Sequence, residues 1–128
     1  MLTEVKKRII RKKSVDALWL PKNPKKNDVI TIFCDKPGKL HWGVDGWNRP
    51  PFDNRPIGST VWHDGVAVES PLTGPDGNGK YFVQIGPFNK TAVRQVNFVF
   101  HHADDSWSSP NQTIPIGRRS IFAIHQPT

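Results

Sequence analysis

From residue 29 onward the apolar positions fall in short runs, and each run is bounded by residues that favour turns. Val29–Cys34, Lys39–Val44, Gly65–Glu69, Lys80–Ile85, Val93–His101 and Ser120–His125 are rich in β-branched and aromatic side chains, with Gly, Pro, Asn and Asp between them. Runs of this length and composition predict strands, and six of them in succession predict an antiparallel sandwich or barrel. In the fourth run Tyr81, Val83 and Ile85 alternate with Lys80, Phe82 and Gln84, the period of a strand with one favoured buried face. Val96, Phe98 and Phe100 repeat that period in the longest run. Asp35-Lys36-Pro37-Gly38 and Pro75-Asp76-Gly77-Asn78-Gly79 supply the residues that tight turns need. Twelve prolines, several of them close together, argue against long helices. The expected fold class is all-β.

Upstream the pattern is different. Leu2, Val5 and Ile9 are spaced for one face of a short helix within 2–20, but Ile10 and Trp19 do not extend that face. Pro21-Lys22-Asn23-Pro24-Lys25-Lys26-Asn27 then interrupts regular structure. Charge follows the same division. The 128-residue chain carries 18 Lys and Arg against 11 Asp and Glu, a net +7. Nine of the basic and two of the acidic residues lie in the first 26, so the remaining 102 hold nine of each. The expected organisation is a basic arm or linker over 1–26 and one globular module over 27–128.

This distribution removes the first inference that a strongly basic chain invites. A nucleic-acid-binding domain carries its cationic stripe on the fold, because phosphate neutralisation supplies its affinity, and here the body has no surplus. The arm alone remains open to an anionic membrane or partner. No apolar run approaches the ~18 residues of a membrane-spanning helix. The N-terminus lacks the apolar core of a secretory signal, so a cytoplasmic address is expected if the chain is complete. One cysteine, Cys34, excludes an internal disulfide and a thiolate-rich zinc site. Among Val29, Ile30, Ile32 and Phe33 it reads as a small buried hydrophobe.

Signals for catalysis are weak. Asp35, Asp45, Asp53, Asp64, Glu69, Asp104 and Asp105 sit mostly beside turn residues, none in surroundings apolar enough to perturb it plainly. His101, His102 and Asp104 resemble a fragment of a metal site, but adjacent strand residues point to opposite faces and cannot converge. There is no nucleophile elbow, P-loop or dinucleotide fingerprint. No catalytic residue, metal or cofactor is assigned.

The tryptophans carry more information. Five occur in the chain, and Trp47 and Trp107 stand among Gly, Asn, Asp, Ser and Pro, where loops are expected. Trp42 falls on the buried phase with Leu40 and Val44, so His41 faces the opposite way. Loop aromatics beside polar side chains suit sugars, whose C–H faces stack on rings while their hydroxyls need donors and acceptors. The same rings could equally cap the open ends of a sandwich, and composition does not choose between these roles. Stacking of single-stranded bases would require a cationic groove.

Two motifs favour the sugar. Leu40-His41-Trp42-Gly43-Val44-Asp45-Gly46-Trp47, followed by Asn97-Phe98-Val99-Phe100-His101-His102-Ala103-Asp104-Asp105-Ser106-Trp107, resembles the starch-binding modules of carbohydrate-binding module family 25. It is similar also to related modules of amylolytic enzymes and starch synthases. The resemblance covers about residues 27–117. It implies an immunoglobulin-like antiparallel β-sandwich that binds α-1,4-linked glucan (starch, glycogen or maltodextrin) without chemistry, attached to a glycoside hydrolase or glucan-synthesis domain. It implies also that His41, Trp47 and Trp107 form the sugar platform, with Asn111 bonding hydroxyls and Asp45 and Asn48 at the rim. Ser108-Ser109-Pro110-Asn111 is shorter in Asn than the family's loop. The stretch 50–64, with Trp62, matches no motif, and Trp62 is expected to pack beneath that loop. The alternative reading is a sandwich that contacts protein, its basic arm reaching an anionic partner such as nucleic acid.

Overall fold

In a computed structural model, residues 18–117 are described. The expected strand at 120–125, and residues 1–17 of the expected arm, lie outside them. Eight strands follow in order: β1 (Trp19–Leu20), β2 (Ile30–Cys34), β3 (Gly38–Val44), β4 (Thr60–Val61), β5 (Val68–Pro71), β6 (Tyr81–Ile85), β7 (Gln95–His102) and β8 (Gln112–Pro115), with one turn of 3-10 helix at Phe52–Asn54. They form two antiparallel sheets, ordered β1-β2-β6 and β4-β5-β3-β7-β8. The protein is a β-sandwich. Among the described residues no helix is long and apolar enough to cross a membrane.

Period-two alternation sorts side chains to the two faces of the five-stranded sheet. Leu40, Trp42 and Val44 of β3 point inward with Val96, Phe98 and Phe100 of β7, Val68 of β5 and Ile114 of β8. They meet Ile30, Ile32 and Cys34 of β2 and Val83 and Ile85 of β6, and Phe88 closes the cluster. Trp42 is fully buried. Burial of a side chain that size stabilises by about 2–3 kcal/mol. Its indole N–H, which would cost about 1–3 kcal/mol if left unpaired, donates to Ser70 Oγ at 2.9 Å. Cys34 is part of this core, and burial pushes its thiol pKa up.

Residues 18–26, which the charge division places in the arm, are joined to the sandwich. Trp19 and Leu20 pair with Ile32 and Thr31, in a stretch expected to be arm or linker. The Trp19 ring meets Phe98 edge-on at 6.1 Å, Pro24 is buried, and Pro24 O accepts from Gly117 N. The run at 65–69 gives way to a turn followed by β5, because Gly65 has a φ of 75° and Asp64 draws the backbone back on itself.

Candidate functional site

The alternation that buries Trp42 leaves Lys39, His41 and Gly43 of β3, with Asn97, Val99 and His101 of β7, on the outer face of the larger sheet. Register aligns them in rows. Gly43 lies beside Asn97, which lies beside Thr113; His41 lies between Glu69 and Val99; Lys39 lies beside His101. Three loop segments fold over these rows, and each brings a tryptophan.

The first follows β3 directly. Val44 and Asn48 exchange backbone hydrogen bonds of 2.8 and 2.7 Å, closing a loop of three residues that are all left-handed: Asp45 (φ 50°), Gly46 (φ 84°) and Trp47 (φ 69°). That conformation disfavours residues with a Cβ by roughly 1–2 kcal/mol each. The protein holds it with two side chains. Asn97 Oδ1 accepts from Gly46 N (2.9 Å) and Trp47 N (3.1 Å), and Asp45 Oδ1 accepts from Arg94 N (2.8 Å) and Gln95 N (3.1 Å). The loop lies so close to β3 that a Cβ on Gly43 would come within 2.8 Å of Trp47 Cα. Only glycine lets Trp47 fold back beside His41, and their ring centroids are 5.8 Å apart.

The second tryptophan comes from the turn after β7. His102 N donates to Ser106 O and Ser108 N to Phe100 O, so the chain reverses and pairs Trp107 across from His101. Cross-strand partners on one face bring their side chains together, and here the rings lie flat on each other, 4.0 Å apart and 5° from parallel. Trp107 remains 45% exposed.

Trp62 is the third, and it had been expected only to pack beneath its loop. It meets His41 (5.1 Å), His101 (5.7 Å) and Trp107 (5.7 Å), each at nearly a right angle. Its position comes from the hairpin between β4 and β5, in which Trp62 N donates to Ala67 O. Asp64 Oδ1 accepts from Val66 N and Ala67 N; these bonds, Val66 first, hold the Asp64 carboxyl below its usual range. Arg49 donates to Gly65 O and ties this hairpin to the loop that carries Trp47.

Beneath the rings lies a carboxylate that the sequence placed among unremarkable ones. Glu69 is 3% exposed, and its Oε2 accepts from both His41 Nδ1 and His101 Nδ1 at 2.9 Å. Lys39 Nζ stands 4.0 Å from the other oxygen. Neighbouring strand residues gave no hint of this burial, because the side chains bonded to Glu69 come from β3 and β7. His101 Nε2 reaches Asp105 Oδ1 at 2.6 Å. Burial favours the neutral imidazole, but the hydrogen bonds to Asp105 and Glu69, with their charges, outweigh it and raise the His101 pKa above 6.5.

The result is an open cleft of about 320 Å³ lined by His41, Trp47, Asp64, Ala67, Val99, Trp107 and Asn111. His41, Trp47, Trp107 and Asn111, four residues selected from sequence, come together here. Asp45 and Asn48 do not line it: Asp45 holds backbone N–H groups, and Asn48 Nδ2 donates to Asp45 O. Sequence reasoning passed over Asp64, Glu69 and the part played by Trp62. A tryptophan near a tight Asp-Gly turn was the available signal for the last. Among the described residues no group of three or more His, Cys, Asp or Glu side chains is arranged to hold a metal ion. Chemically the cleft offers apolar ring faces, one imidazole edge, one amide and the Asp64 carboxylate.

No protein-family model matches this chain, and no solved structure does. It is similar to the α-amylase 3, chloroplastic, of Arabidopsis thaliana, with 37% identity over 84 residues. The match covers 58% of this chain and 9% of that protein, so the chain corresponds to a small part of its relative.

Proposed function

We propose that this chain is a non-catalytic module that binds α-1,4-linked glucan, of the kind found in carbohydrate-binding module family 25. The observation that carries the reading is that His41, Trp47, Trp107 and Asn111 line one open cleft. Trp47 and Trp107 offer faces to successive glucose rings. His41 Nδ1 is engaged by Glu69, so Nε2 is left for a sugar hydroxyl, and Asn111 adds an amide. Similarity to a short stretch of an α-amylase supports an accessory role beside a glucan-active domain. Glu69, the one buried carboxylate among the described residues, is bonded to His41 and His101 and acts as their support, not as an acid or base toward ligand.

Covering about 100 Å² on one ring is worth roughly 2.5 kcal/mol before ordering losses. Two rings with a few hydrogen bonds therefore give dissociation constants in the micromolar to millimolar range, about −4 to −8 kcal/mol. Such affinity is useful when a tethered partner is thereby concentrated on starch, glycogen or maltodextrin; here that partner is a glycoside hydrolase or glucan-synthesis domain.

Electrophoresis through gels with and without amylopectin tests this. The wild-type chain is retarded by the polysaccharide, and Trp47→Ala and Trp107→Ala each weaken binding by about tenfold or more while migrating normally in the plain gel. Unretarded migration of the wild type refutes the reading.

A further inference from the structure

We propose that His101 is a positioning residue for the glucan platform: clamped as an imidazolium between Glu69 and Asp105, it holds the Trp107 ring in place and makes glucan affinity depend on pH. The inference rests on the glucan reading of the cleft and goes beyond it, because His101 does not line the cleft.

The geometry sets the protonation state. A neutral imidazole has one N–H and one acceptor nitrogen, whereas the imidazolium donates from both. Both ring nitrogens of His101 face carboxylate oxygens, Nδ1 at 2.9 Å from Glu69 and Nε2 at 2.6 Å from Asp105. An ionised carboxylate accepts only, so both contacts are satisfied together by the cation. The raised pKa agrees with this arrangement. The charged and titratable groups around His101 are Lys39, its cross-strand neighbour on β3, Glu69 from β5, which it shares with His41, and Asp105 from its own turn.

Consequences for Trp107 follow in two ways. An imidazolium under an indole face is held by cation–π attraction as well as by stacking. Asp105 belongs to the turn that delivers Trp107 and has a left-handed backbone, φ 73°, so its bond to His101 fixes the turn to the sheet. Loss of one proton removes the cation and turns one ring nitrogen of His101 into a lone pair facing a carboxylate oxygen. The clamp is therefore complete below the ordinary histidine value of about 6.5 and is lost as pH rises through the higher value in the folded protein.

The experiment is a calorimetric titration of the full chain with maltoheptaose between about pH 5.5 and about pH 9. The wild type is expected to bind about threefold to tenfold more weakly at the alkaline end, the loss of one modest cation–π contact. His101→Phe keeps a flat ring beneath Trp107 without a proton, and its affinity is expected to be independent of pH across this range. Asp105→Asn lies on an exposed turn and removes one of the two charges; it is expected to move the midpoint of the profile to lower pH. Wild-type binding with a flat profile overturns the proposal and leaves the glucan reading standing. Retention of the wild-type profile by His101→Phe, or an unmoved midpoint in Asp105→Asn, also overturns it and assigns the pH dependence to a group other than His101. If His101→Phe does not fold, the Asp105→Asn midpoint decides. Absence of wild-type binding at every pH refutes the glucan reading itself, and the proposal with it.

Discussion

The amide of Asn97 accepts from Gly46 and Trp47 N–H through its oxygen, while its nitrogen donates to Gln95 Oε1 and Thr113 Oγ1. Both ends are used, the residue is buried, and two backbone donors depend on one oxygen. Asn97→Ala is expected to cost about 1–3 kcal/mol of stability, the usual penalty for stranding buried partners, read as a shift of the urea unfolding midpoint. It should also loosen the Trp47 loop and weaken glucan binding. Asn97→Asp keeps the acceptor and is expected to retain more of the binding. At this scale, legibility in the sequence depended on whether a residue's role was local. The opposite orientations of His41 and Trp42 follow from alternation within one strand, and Trp47 and Trp107 stand out by their polar neighbours. Glu69 and Trp62 act through partners 28 or more and 21 or more residues away, and nothing beside them in the chain announces those partners.

Among the elements, β1 shows how little chain a sheet edge requires. Its two residues cover β2, and Trp19 adds an edge contact to Phe98 and a hydrogen bond from Nε1 to Lys22 O at 3.1 Å. Trp19 belongs to the three-stranded sheet, and the cleft lies on the far face of the other. Trp19→Ala is therefore expected to lower stability by about 1–3 kcal/mol, less than a full core deletion because the ring is only partly buried, with maltoheptaose affinity unchanged. Chemical denaturation and calorimetry on the same variant separate the two effects. The strands recognisable in advance were those of five or more residues, whose alternation repeats often enough to be seen. Two-residue β1 and β4 offer no period at all, and β8 contributes one buried side chain, Ile114, before Pro115.

For the molecule as a whole, charge is divided by location, and the proposed ligand fits the neutral part. Residues 27–128 carry nine basic and nine acidic side chains, and the cleft presents rings, one imidazole and one amide beside a single exposed carboxylate, Asp64. Binding of an uncharged glucan should therefore change by less than about twofold between low salt and ~0.5 M salt, where exposed charges are largely screened. A steep fall with salt would point to an anionic partner and to the N-terminal cations. The three left-handed residues at 45–47 have a consequence for how ligands are told apart. Their backbone is fixed by the Val44–Asn48 closure and by Asn97, so the conformational entropy of that loop, about 1–2 kcal/mol per residue, is surrendered when the chain folds and not when sugar arrives. This part of the cleft meets its ligand as a rigid host. On the glucan reading proposed above, discrimination among linear and branched chains is then expected to rest on the stiffness of the sugar and not on that of this loop.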